Sequence, residues 1–111
     1  MEAAAAVQAL AALAQETRLA VFRLLVQAGP EGLPAGEVAK RFGSAASTMS
    51  HHLAQLERAG IVRSRRVRRQ VFYATHCEGT RRLLDFLTED CCRGLPLSCA
   101  PDEPTDAAQP R

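Results

Sequence analysis

Glycines at positions 29, 43 and 60 each follow directly on a stretch of helical apolar spacing, and this punctuation constrains the chain more than any other feature. A glycine just past a periodic segment is a common left-handed stop for a helix. The first stop is reinforced by Pro30, which cannot continue one. Helices cut this short are marginal alone in water, so they must pack on one another and on whatever follows. The 111 residues allow one domain, with a core small enough to gain from extension across a dimer interface.

Residues 4–14 read as a first helix, with Val7, Leu10 and Leu13 at helical spacing and an outward face almost wholly of small side chains. Residues 17–28 form a second, in which Leu19, Phe22 and Val26 share one side while Val21, Leu24 and Leu25 lie nearby. So wide an apolar arc predicts a central helix. A short third helix over 35–42 carries Val38, Ala39 and Phe42 on one face, and a fourth over 47–59 turns Met49, Leu53 and Leu56 inward. The tight turn at 44–46 makes these two a helix-turn-helix. Residues 61–66 and 70–75 are β-branched and aromatic, which suits two antiparallel strands joined around 67–69. A last helix is expected over about 78–91, with Leu83, Leu84, Leu87 and Cys91 on its apolar face, before Gly94 and Pro96 prevent continuation. The fold class expected is mainly α with a β-hairpin, a winged helix-turn-helix.

The net charge of +2 says little, but its distribution says more. Arg63, Arg65, Arg66, Arg68 and Arg69 crowd the hairpin without one acid, whereas Asp102, Glu103 and Asp106 gather near the end. Forked guanidinium donors match phosphate oxygens. On the fourth helix, Ser47, Thr48 and His51 project roughly opposite to Met49, Leu53 and Leu56, with Ser50 at the edge of that face. Small polar side chains at a helix N-terminus can enter a major groove and meet base edges, while an arginine-rich wing approaches the backbone. Taken alone, Ser47 and Thr48 would merely start a helix beside solvated histidines; the basic hairpin that follows favours duplex DNA. His52 shares a side with Met49 and Leu56 and is given a structural role.

LAQETRLAVFRLL, then STMSHHLAQLERAGIV, then the QVFYAT strand resemble the ArsR/SmtB family of metal-responsive repressors over about residues 10–99. The family's S-x-x-S-H-H-L signature falls on Ser47, Ser50, His51, His52 and Leu53. The resemblance implies a homodimer through the first and last helices, with the fourth reading an inverted-repeat operator. DNA contacts are thereby expected from Ser47, Thr48, Ser50, His51, Arg65, Arg66, Arg68 and Arg69. One departure is the wing tip, where Val67, Arg68 and Arg69 replace the usual glycine and leave the turn type open.

Four cysteines in a chain without a basic n-region at its start point to a metal or redox site rather than a disulfide framework. Cys91, Cys92 and Cys99 cluster, and Cys77 stands apart in a structural role. The C-x-C pair that many arsenic-sensing relatives carry in the third helix is missing, and no histidine lies between positions 78 and 90 for an interhelical zinc site. LLDFLTEDCC followed by Cys99 instead resembles a subgroup in which a vicinal pair and a downstream cysteine hold arsenic. That implies As(III), and by the same chemistry Sb(III), as an inducer held by Cys91, Cys92 and Cys99, since soft sulfur donors select soft centres. A thiol redox switch using the same cysteines is the alternative.

No organic cofactor is expected. An enzyme is not expected either, because no cysteine has a histidine and a third orienting group beside it; His76 next to Cys77 is the weak exception. A protein-binding winged helix is the remaining rival. Residues 1–99 are assigned to the DNA-binding and dimerisation domain. Residues 100–111, acidic and proline-bearing, are expected to form a disordered tail, and the protein to be cytoplasmic.

Overall fold

The computed structural model describes residues 1–89. Cys91, Cys92, Cys99 and the expected tail lie outside the described residues. In chain order the elements are α1 (Ala3–Leu13), α2 (Glu16–Ala28), β1 (Leu33–Pro34), α3 (Ala35–Arg41), α4 (Ala46–Arg58), β2 (Val62–Val67), β3 (Gln70–Thr75) and α5 (Cys77–Leu87). Gly29, Gly43 and Gly60 all take positive φ, 85°, 60° and 84°, at the helix ends they were expected to make.

The core is built from the inward stripes of the short helices. Val21 and Leu25 of α2, Val38 of α3, and Met49, Leu53 and Leu56 of α4 are sealed together with Ile61 and Val62 at the start of the wing. Helix α1 contributes a face that its sequence disguises: Ala6, Ala9 and Ala12 are buried, while Val7 is 64% and Leu10 41% exposed. The expectation that the small face points outward is thus reversed. Alanines allow α1 to lie close against its neighbours, and the larger side chains are displaced to the outside.

The strands form an antiparallel sheet in the order β1-β3-β2. The two-residue strand β1, which lies beside β3 with Leu33 opposite Tyr73, has no signature of its own in the sequence. The hairpin register pairs Val67 with Gln70, so Arg68 and Arg69 alone make the turn. Arg68 is at φ 58°, the one non-glycine residue with positive φ among those described. A positive φ at the first central position has the sign pattern of a type II′ turn, where glycine is the usual choice.

Helix α5 ends sooner than its apolar spacing suggests, stopping at Leu87 rather than running to Cys91. The Thr88 hydroxyl turns back to donate to the Leu84 carbonyl at 2.9 Å, a local bond that competes with continued helix. At its other end α5 is capped by His76, whose Nδ1 accepts from the Gly79 amide at 2.8 Å. A Cβ at Gly79 would overlap the carbonyl oxygen of Gly60, so a side chain is barred where α5 meets the end of α4.

Candidate nucleic-acid interface

The turn between α3 and α4 is tied by backbone bonds: the Gly43 amide donates to Lys40 O at 3.1 Å, and the Ser44 amide to Ala39 O at 2.9 Å. That turn fixes how α4 leaves the core. Met49, Leu53 and Leu56 are fully buried, and Ser47, Thr48, Ser50 and His51 are all exposed. The four polar residues expected to face DNA therefore lie on the open side of one helix. Ala45 precedes α4 without a side-chain cap, so the first-turn amides have no side-chain oxygen from that position. Donors of this kind at a helix N-terminus suit a phosphate oxygen.

Gln55 extends this face and was not singled out from sequence. Its Nε2 lies 3.1 Å from His51 Nε2, one helical turn along α4. The i, i+4 spacing from His51 was the signal available. His52 behaves as expected of a structural residue. Its Nδ1 lies 3.3 Å from Arg18 Nη1, and Arg18 Nε donates to Ala12 O at 2.6 Å, linking α4 to the end of α1. Burial, then the Arg18 charge, then His51 lower its proton affinity below that of an ordinary histidine.

Strand alternation splits the arginine run between the two faces of the wing. Ser64 donates to Glu57 Oε2 at 2.7 Å, so its face, which includes Arg66, looks toward α4. On the same face Tyr73 pairs with Ser64, and burial followed by the Glu57 charge pushes its phenol above the usual range. Arg63 and Arg65 lie on the other face, donating to Pro30 O at 3.2 Å and to Glu31 O at 3.0 Å. Arg65 also stacks over Phe72, 4.9 Å from the ring centroid. Both side chains thereby bind the wing to the turn that precedes β1. At the tip, Arg69 and Gln70 share a cleft with Ser50 of α4 and the start of α3, near Pro34 and Gly36. Of the expected site residues, the fold thus brings Ser50 and Arg69 together, leaves Arg66 and Arg68 exposed nearby, and ties Arg65 to the scaffold.

This geometry has close counterparts. Residues 13–65 match the profile of a helix-turn-helix domain. The homodimeric winged helix-turn-helix DNA-binding domain of Mb0332 from Mycobacterium bovis, a possible ArsR-family transcriptional regulator, superposes with a TM-score of 0.63 at 26% identity, over 76% of this chain and 75% of that one. A possible transcriptional regulator for arsenical resistance superposes at 0.65 with 28% identity, over 72% of this chain and 80% of that one. In sequence, the transcriptional activator HlyU of Vibrio cholerae is 32% identical over 90 residues, 81% of either chain. The chain belongs to the ArsR family of transcriptional regulators.

In this ArsR-family regulator of the HlyU type, α4 is the second helix of the helix-turn-helix and the β2–β3 hairpin is the wing. No helix among the described residues is long and apolar enough to cross a membrane. Nor, among those residues, do three His, Cys, Asp or Glu side chains gather to hold a metal. Cys77, the one cysteine described, is exposed at the first position of α5.

Proposed function

We propose that this ArsR-family chain is a homodimeric repressor that leaves its operator when arsenite, or antimonite, binds Cys91, Cys92 and Cys99. The observation that carries the DNA-binding half is the shared orientation of Ser47, Thr48, Ser50 and His51 on the open side of α4, with Arg69 of the wing tip beside Ser50. Backbone contacts from Arg66, Arg68 and Arg69 position the duplex, and the α4 side chains meet base edges. Arg65 contributes charge while holding the wing in place.

The dimer is assigned to α1 and α5. Val7 and Leu10 on α1, with Leu84 and Leu87 on α5, are large, apolar and 41–64% exposed, which a second copy of the chain would cover. A homodimer brings two α4 helices to the two halves of an inverted repeat.

The thiol half rests on the Cys-Cys spacing with Cys99 just beyond α5, a helix assigned to the interface. Arsenous acid exchanges its three As–O bonds for three As–S bonds with no change of oxidation state, and the three thiol protons leave with its oxygens as water. Closing that loop reorganises the chain next to Leu84 and Leu87, and through the interface the spacing of the two reading heads. A coupling of about 1–3 kcal/mol is the usual scale of such effects. Residues 1–99 suffice for this scheme, with 100–111 as a tail.

The experiment is a titration of the reduced protein on operator DNA, once with arsenite and once with peroxide. Release by arsenite, lost in Cys91→Ser, Cys92→Ser and Cys99→Ser but kept in Cys77→Ser, is the expected result. Release by peroxide alone transfers the same cysteines to a redox switch and overturns the metalloid reading.

A further inference from the structure

We propose that the cleft between α1, α2 and α4 is an anion site for a phosphate-class group, held by Arg18 and Arg58 with the carboxamides of Gln8 and Gln55. The cleft has a volume of about 240 Å³, and its remaining walls are Ala11, Ala12 and Ala59, whose small side chains leave the interior open to a ligand. No acidic side chain lines it. The two ion pairs among the described residues engage Arg41 and Arg82, so neither guanidinium group of this cleft has a carboxylate within ion-pair distance among those residues.

Arg18 is half-buried and already held in place. Its Nε donates to Ala12 O at 2.6 Å and its Nη1 lies 3.3 Å from His52 Nδ1, which orients the rest of the fork with little further loss of side-chain freedom. A guanidinium so placed is a better anion ligand than a mobile surface arginine. The positive field is felt by its neighbour: after burial, the charge of Arg18 is the next cause of the weakened basicity of His52, ahead of His51. Arg58 is exposed and can swing onto a bound group, and the two carboxamides supply neutral donors.

Gln55 joins this cleft to the reading face, because its Nε2 also meets His51. The occupant therefore comes from one of two sources with the same chemistry, a free phosphate-class anion or a phosphate of the bound duplex. Neither involves the cysteines, so failure here leaves the arsenite reading untouched.

The test uses the full chain in its reduced form, observed by NMR at the side-chain amides of Gln8 and Gln55 and the His52 imidazole. Inorganic phosphate is titrated in at constant ionic strength, then replaced by operator DNA. Saturable shifts with phosphate alone, weakened about tenfold in Arg58→Gln and abolished in Gln8→Glu, place a free anion in the cleft. Shifts with DNA alone, together with a salt dependence reduced by about one counterion in Arg58→Gln, place a DNA phosphate there. Both substitutions are at exposed positions, so the fold is retained. Silence of all three reporters in both titrations overturns the proposal.

Discussion

At the scale of single residues, two glycines inside helices make opposite predictions for the same substitution. Gly79 sits where α5 meets the Gly60 carbonyl, and a methyl group there collides with backbone rather than with a side chain that could yield. The gain in helix propensity from Gly79→Ala, about 1 kcal/mol, is outweighed by the displacement of two packed segments, and a net loss of about 1–2 kcal/mol is expected. Gly36 in α3 has nothing within 4 Å of the same added atom, so Gly36→Ala should stabilise by about 0.5–1 kcal/mol. Urea unfolding of the pair checks both signs. His52 adds a pH dependence. Its proton affinity is lower in the folded chain than the ordinary value of 6.5, so below that pH the unfolded chain binds more protons. Stability is then fully present above about pH 6.5 and declines as pH falls through the lowered folded value, and His52→Gln should flatten this decline in thermal melts. The structural role of His52 was legible because it shares a helix side with Met49 and Leu56; its partner Arg18 was not, since nothing in the sequence pairs positions on α2 and α4.

At the scale of elements, the wing divides one arginine run into two jobs, and the division is measurable. Arg69 at the tip has no hydrogen-bond or ion-pair partner among the described residues, so Arg69→Ala should leave the melting temperature unchanged while lowering the salt slope of operator binding by about one. Arg65 bonds the Glu31 carbonyl and covers Phe72, so Arg65→Ala should cost about 0.5–1 kcal/mol of stability as well as some affinity. Equal melting temperatures for the two variants would sink this assignment. The hairpin itself was readable from its β-branched and aromatic runs, and α4 from Met49, Leu53 and Leu56. The division of the arginines was not, because it depends on a two-residue turn whose type the sequence left open and on carbonyls from Pro30 and Glu31, distant in the chain. Strand β1 was hidden for a related reason: Leu33 and Pro34 become a strand only because β3 passes beside them. In α5 the apolar spacing carried the expected helix past its real end, where the Thr88 hydroxyl bonds back to Leu84.

At the scale of the whole molecule, the inverted polarity of α1 is the feature that a lone protomer does not explain. A chain this small commits alanines to its own core and leaves Val7, Leu10, Leu84 and Leu87 outside, which runs against the hydrophobic effect unless a further surface covers them. Periodicity could report that α1 and α5 have apolar stripes, but not which stripe serves the protomer and which a partner, since both obey the same spacing. Substitution separates the two. Leu84 is 57% exposed and Leu83 is 4% exposed, although they are adjacent on one helix. Leu83→Ala removes core packing and should destabilise the protomer by about 2–4 kcal/mol. Leu84→Asp should leave the helical circular dichroism spectrum intact and shift sedimentation from dimer to monomer, because an unpaired carboxylate is then forced into the interface. Operator affinity should fall with it, since one reading head on one half-site forfeits the gain from engaging both. A Leu84→Asp protein that still sediments as a dimer and binds the full operator normally would remove α5 from the interface, and with it the route by which a ligand at Cys91 and Cys92 is proposed to reach the DNA.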